Sequence, residues 1–259
     1  MTAELKRTSE GQTLVLTISN PEHRNALGPE IYTEGMEALN LAESSADIRS
    51  VVIVGEGKVF SAGGNLQRLQ NNRQRPASVQ AESISALHDW IEAIRTFPKP
   101  VIAAVEGAAA GAGFSLALAC DFIVAAENAV FVMAYSNIAL SPDGGASWSL
   151  MRALPRQLVT ELLMCGDRIS AQKLFDLGLV NRVTAAGHAH TQALALAEQL
   201  NGRAPNALSS IKTLINEASD STLAKQLDRE RDHFVRNLHH ANAGIGISAF
   251  LNKETPIFE

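Results

Sequence analysis

The chain has 259 residues, 46% of them hydrophobic and 19% charged, with a formal net charge of −5. That balance suits a globular protein with a sizeable core, in one large domain or one domain plus an appendage. No long Lys/Arg run is present, which argues against a nucleic-acid partner, and no apolar run reaches the ~18 residues of a membrane span.

The two cysteines, Cys120 and Cys165, stand in apolar surroundings and read as reduced core thiols. The N-terminal stretch carries charges where a secretory leader needs its apolar centre. The default reading is a cytosolic protein.

In chain order, Leu14 to Ile18 alternates apolar and polar residues and predicts a strand after a turn at Glu10-Gly11. The polar loop NPEHRNAL, from Asn20 to Leu27, follows. Pro29 opens a helix that runs to Ala42. Val51 to Val54 predicts a buried strand, and Gly55-Glu56-Gly57 turns the chain toward Ser61-Ala62-Gly63-Gly64-Asn65-Leu66. Gln67 to Gln80 is rich in Asn, Gln and Arg and reads as an exposed loop or frayed helix. Ser83 to Thr96 has helical spacing.

Val101 to Val105 is a short β-branched run and predicts a buried strand. Gly107, three alanines and Gly111-Ala112-Gly113 lead into Phe114 to Cys120, apolar on nearly every side, as in a buried helix. Strand, small-residue turn and helix together present backbone N–H groups without internal partners, at the positive end of a helix dipole. Close packing of helix on strand accounts for the small residues equally well.

Two further stretches share this plan. One is RSVVIVGEGKVFSAGGNL. The other, weaker, runs from the predicted strand Val130–Ala134 through Ser141-Pro142-Asp143-Gly144-Gly145 into Ala146 to Leu154. Successive strand–turn–helix units of this kind aim their turns at one place. Beyond Pro155 helices dominate: 157–164, 170–177, 191–200, 207–218 and 222–238, with a short strand at 180–183.

No GxSxG, HExxH, CxxC or phosphate-binding loop is present, and the histidines pair only at His239-His240, on a presumed helix, so no metal site is expected. Asp143 is the most informative ionisable residue. Beside two glycines it suits a turn or helix cap, and at a shared site it suits a proton-transferring carboxylate. Asp121 and Glu106 read as structural.

NPEHRNAL, FSAGGNL, KPVIAAVEGAAAGAGFSLALACDFIVAA, SPDGG and GDRISAQKLFDLGLVNRV together resemble the crotonase superfamily, the enoyl-CoA hydratase/isomerase family. The resemblance runs from about Leu14 to Val183 and more loosely to the C-terminus. It implies an α/β fold: a spiral of ββα units over residues 1–195, then a C-terminal α-helical trimerisation region over 196–259. It also implies a homo-trimer or dimer of trimers and an acyl-CoA thioester as substrate.

By the same resemblance, the backbone N–H groups of Ala62 and Ala112 hold the thioester oxygen of an enolate. Arg24 and Ala26 lie in the segment that lines the CoA nucleotide pocket, with Gly63, Gly64, Asn65 and Leu66 beside it. Family hydratases use two glutamates, and Ser115 and Tyr135 occupy those positions here. Asp143 stands where the isomerase branch keeps its single acid/base. The reading is therefore double-bond isomerisation with Asp143 as acid/base and with Ser115 and Tyr135 lining the acyl pocket. Hydration or hydrolysis of an unsaturated or ring-derived acyl-CoA is the alternative, as is a non-catalytic acyl-CoA-binding member. Enolate chemistry on a thioester needs no metal or redox cofactor.

Overall fold

The computed structural model describes residues 3–259. Its strands are β1 (Glu4–Glu10), β2 (Thr13–Ser19), β3 (Ser50–Gly55), β4 (Val101–Val105), β5 (Ala108–Ala110), β6 (Phe122–Ala126), β7 (Val130–Val132), β8 (Arg168–Ser170) and β9 (Arg182–Thr184). The helices before the second small-residue turn are α1 (Pro29–Ser44), α2 (Leu66–Asn72) and α3 (Ala77–Thr96). After it come α4 (Ala112–Ala119), α5 (Ala146–Ala153), α6 (Arg156–Met164), α7 (Ala171–Asp176) and α8 (Ala189–Asn201). Three helices close the chain: α9 (Pro205–Ala218), α10 (Leu223–Leu238) and α11 (Ala241–Asn252).

Six strands form one sheet in the order β1-β2-β3-β4-β6-β9. Only the β1–β2 hairpin is antiparallel, closed at Gly11, whose φ of 58° suits a residue without a Cβ. The parallel strands β3, β4 and β6 are buried on both faces, so they read as continuous apolar runs. Side chains alternate strictly: Leu14, Leu16, Val51, Ile53, Ala103 and Val105 point into the main core. Val15, Val52, Val54, Ile102, Ala104 and Val124 point the other way, onto Ala193, Leu196 and Ala197 of α8.

A smaller sheet, β5-β7-β8, forms a second layer. Ser61 bridges in parallel to Ala109 and extends it by one residue. Each unit of the spiral thus gives one strand to the large sheet and one short segment to the small sheet, then turns into a helix. This is the predicted ββα plan, and it stacks the three turns side by side.

Some expectations are corrected. Gln67 to Gln80 is exposed but not one loop: α2 covers 66–72, residues 73–76 link it to α3, and α3 begins at Ala77, before the predicted start. The strand β1 had no apolar alternation to reveal it, because as an edge strand it buries only Leu5 and shows Lys6 and Arg7 outward. Cys165 is exposed, not in the core, whereas Cys120 is half-buried. His239 and His240 lie in the turn between α10 and α11. The boundary placed between 195 and 196 falls inside α8, which packs on the sheet.

Trp90, on α3, is the largest fully buried side chain and packs against α1 at Gly35. A Cβ at position 35 would stand 2.4 Å from the indole ring. Gly35→Ala is therefore expected to destabilise the fold by about 1–3 kcal/mol, the usual range for overpacking a core. Urea unfolding checks this; an unchanged midpoint would mean that the α1–α3 contact yields freely.

Candidate active site

The polar loop 20–27 and the turn 61–65 are tied together through Asn25. This side chain is buried, and its backbone adopts the left-handed region at φ 57°, where Asn is tolerated better than most residues. Its amide donates to the carbonyls of Glu56 (2.9 Å) and Val59 (2.7 Å), and its Oδ1 accepts from the Asn20 N–H (3.1 Å). The Asn25 carbonyl accepts from the Ser61 hydroxyl (2.8 Å), whose oxygen in turn accepts from the Gly63 N–H (3.1 Å). Leu27 N–H donates to the Gly63 carbonyl at 2.7 Å.

In the same lattice Ala62 N–H donates to the Arg24 carbonyl at 3.0 Å. The expected role of Ala62 as an oxyanion donor is therefore corrected: its hydrogen is already spent within the chain. Two residues on, Gly64 N–H meets no acceptor among the described residues.

The second turn abuts the first. Gly111, at φ 50°, donates its N–H to the Val132 carbonyl (2.9 Å) and opens α4. Its own carbonyl accepts from Phe114 and Ser115 N–H (2.9 and 3.0 Å). Ala112, the first residue of α4, is left with an N–H that has no acceptor among the described residues, as first-turn amides are. Only glycine fits where the turns touch. A Cβ on Gly63 (φ 85°) would lie 2.5 Å from the Ala110 carbonyl oxygen and 3.1 Å from Ala112 N.

The third turn brings Asp143. The Tyr135 hydroxyl donates to Asp143 Oδ1 at 2.6 Å, and the Ser115 hydroxyl donates to the Asp143 carbonyl at 2.9 Å. Gly144 N–H donates to His88 Nε2 (3.3 Å), which puts that ring's proton on Nδ1. Burial, and then the neighbouring Asp143 charge, push the Tyr135 phenol well above its ordinary range, so it stays a proton donor at neutral pH. The helix-cap reading of Asp143 does not hold: α5 is capped at Gly145 with no side-chain bond. Glu106 and Asp121 serve structure. Glu106 accepts from Gly187 and Ala189 N–H at the start of α8 (3.1 and 2.8 Å). Asp121 accepts from Val101 N–H (2.8 Å) and pairs with Lys212 at 2.7 Å.

The three turns open on one cleft of about 620 Å³. Ala62, Gly64, Leu66, Ala112, Tyr135 and Asp143 line it, and Asp143 is the one carboxylate among its lining residues. Gly63, Asn65 and Ser115 stand behind the lining, where Asn65 caps α2 by accepting from Arg68 N–H (3.0 Å). Arg24 is exposed and Ala26 buried, and neither reaches the cleft. A larger hollow of about 930 Å³ lies by Arg49 and the C-terminal tail and holds none of these groups. Sequence reasoning missed Asn25 and Ser61, whose roles appear only once the loops pair. It also missed Tyr32, Arg68 and His88, which helices α1, α2 and α3 bring to the cleft.

The sequence model of the enoyl-CoA hydratase/isomerase family matches residues 8–259. The chain belongs to that family. It is 35% identical over 250 residues to the 1,2-epoxyphenylacetyl-CoA isomerase of Escherichia coli K12, covering 96% of this chain and 95% of that one. It is 31% identical over 262 residues to the 2,3-dehydroadipyl-CoA hydratase of the same strain, covering 99% of each. Its fold superposes on the crystal structure of an enoyl-CoA hydratase from Polaromonas sp. JS666 with a TM-score of 0.98 and 71% identity, over 99% of this chain and 100% of that one. The crotonase fold and an enzyme of the enoyl-CoA hydratase/isomerase type follow.

In this family member the Asn25 lattice holds the loop that leaves Gly64 N–H free. Asn25→Ala removes three buried hydrogen bonds and puts an ordinary residue at positive φ. The expected loss is about 2–4 kcal/mol, read as a fall in the urea midpoint. A change below that range would show that loops 20–27 and 61–65 hold without it.

Proposed function

We propose that this enzyme moves a carbon–carbon double bond within an acyl-CoA thioester through an enolate, with Asp143 as its single acid/base. The observation that carries this reading is the lone carboxylate of the cleft, held by the Tyr135 hydroxyl. Both residues at the family's glutamate positions, Ser115 and Tyr135, spend their hydroxyls on Asp143. Neither hydroxyl replaces a carboxylate base near neutral pH. The relative named as an epoxyphenylacetyl-CoA isomerase supports the same choice.

In the proposed reaction, the Asp143 carboxylate removes a proton from C2 of a 3-enoyl thioester. The C–H electron pair moves into a dienolate, with charge on the thioester oxygen. Protonated Asp143 returns the proton to C4, and the dienolate collapses to the 2-enoyl thioester. Tyr135 occupies one carboxylate oxygen and leaves the other for the proton. Gly64 and Ala112 N–H form the oxyanion hole. Such donors act on charge as it develops and cost no reorganisation. The loop around exposed Arg24 meets the CoA nucleotide.

No helix is long and apolar enough to cross a membrane. A cytoplasmic homo-trimer, or a dimer of trimers, suits the apolar side chains left exposed on the C-terminal helices, among them Leu223, Phe234, Phe250 and Leu251. Coenzyme A enters as part of the substrate, and the reaction as written needs no other cofactor.

Hydration is the second reading. It is favoured by the name of the 71%-identical Polaromonas protein, and there Asp143 and Tyr135 would orient a water. Turnover of 2-enoyl- and 3-enoyl-CoA thioesters in ¹⁸O-water, read by mass spectrometry, separates the two. A moved double bond without label, reduced by about 10²–10⁴-fold in Asp143→Asn, is expected. Label in the product establishes hydration or hydrolysis instead, and full activity in the variant removes Asp143 from the mechanism.

Gly64→Pro deletes one proposed oxyanion donor without touching the Leu27–Gly63 bond. We expect kcat to fall by about 10²–10³-fold with the melting temperature retained. An unchanged kcat would remove Gly64 from the oxyanion hole.

A further inference from the structure

One strong charge in the cleft has no part in the reaction above. Arg68, on α2, lines the cleft, and its Nε is buried with no hydrogen-bond partner. Among the described residues no carboxylate comes within salt-bridge distance of its guanidinium. Arg68 Nη1 and Glu30 Oε2 stand 2.8 and 2.9 Å from the point where a Cβ of Gly28 would sit, near one another but without an ion pair. A partly buried guanidinium with an unsatisfied N–H is costly to keep.

It shares the cleft with Asp143. Asn65 fixes the backbone of Arg68 through the α2 cap, four residues on from Gly64. The Tyr32 phenol, buried on α1, lies beside it. Burial pushes this phenol up, the Arg68 cation and hydrogen bond oppose the shift, and the Asp143 charge adds to it. Tyr32, Arg68 and Asp143 all line the one cleft. Next to α2, α3 contributes Ser83 and Gln80, whose Oε1 is taken by Asn72 Nδ2 (2.7 Å), so its amide N–H groups remain for a ligand. Leu69, Ile84 and Leu87 add apolar wall to the same cleft.

We propose that Arg68, with Tyr32, receives a carboxylate on the acyl group, so that the preferred substrates are CoA thioesters whose acyl chain ends in an acid. A guanidinium offers two parallel N–H donors matched to a carboxylate, and such charge-assisted bonds are the strong ones. This rests on the assignment of the cleft as the acyl-CoA site. The other source of anionic oxygens is the CoA phosphates, which every substrate shares.

Binding of unreactive saturated thioesters tests the proposal by calorimetry, using adipyl-CoA and hexanoyl-CoA, equal in length and differing in the terminal carboxylate. The wild-type enzyme is expected to bind the carboxylated ligand about 10- to 100-fold more tightly. Arg68→Gln is expected to erase that preference and leave hexanoyl-CoA binding unchanged, which also shows that the variant folds. The preference should persist in the matching phosphate-free pantetheine thioesters. Equal wild-type affinities overturn the proposal. So does an Arg68→Gln variant that loses both CoA ligands by one factor while pantetheine thioesters are unaffected, since that places the guanidinium on the phosphates. Turnover plays no part in this readout, so failure of the double-bond reading leaves it intact, and Asp143→Asn should keep the preference while losing activity.

Discussion

The site depends on a backbone contact between two turns. Gly63 lies so close to Ala110 and Ala112 that no side chain fits between them, and Gly113 leaves no more room against Ser61. This contact aligns the amides of Gly64 and Ala112 on one cleft. Side chains then decide which N–H is consumed. Asn25 and Ser61 pull the first loop into register, Arg24 takes Ala62, and Gly64 is left over. An amide made free by its neighbours' pairing is held rigidly, which is the condition for stabilising charge without reorganisation.

The acid/base arm follows a related logic. Asp143 sits on a glycine-rich loop that would wander if unsupported. Ser115 grips its backbone from α4, His88 grips the next residue from α3, and Tyr135 holds its carboxylate. Ser115 and Tyr135 thus both hold Asp143, and glutamates in their places would repel its carboxylate. Burial pushes the Tyr135 phenol well above its ordinary range, so it stays the donor in this contact.

The remainder of the chain supports this arrangement from outside. The two-faced sheet fixes the strand ends from which all three turns leave. Lys212 of α9 reaches the Asp121 carboxylate at the end of α4 and the carbonyl of Ile94 on α3, joining the C-terminal helices to the two helices that frame the cleft. On α5, Trp148 is stacked by Arg95 and Arg152, 4.5 and 3.8 Å from its ring centre, which pins the helix that follows Asp143.

The sequence by itself determined the apolar strands, the small-residue turns, the buried α4 and the prominence of Asp143. Each of these is a local property, a run, a spacing or a residue beside two glycines, and local sequence fixes such features through sterics and hydrophobic burial. It did not determine which amide of SAGGN is free, because that follows from a hydrogen bond between Ala62 and Arg24, in a loop on the far side of α1 and β3. Nor did it reveal that Ser115 and Tyr135 spend their hydroxyls on Asp143, or that Arg68 enters the cleft with its Nε unbonded. Residues 67–80 read in isolation as an exposed loop or frayed helix, and 66–72 are a full helix in the fold. They become a helix because Asn65 caps them and the cleft-side residues Leu66, Arg68 and Leu69 find a wall to face. Only the tertiary structure decided these points, since the free donors and the unpaired charge are defined by what the rest of the chain leaves unbonded.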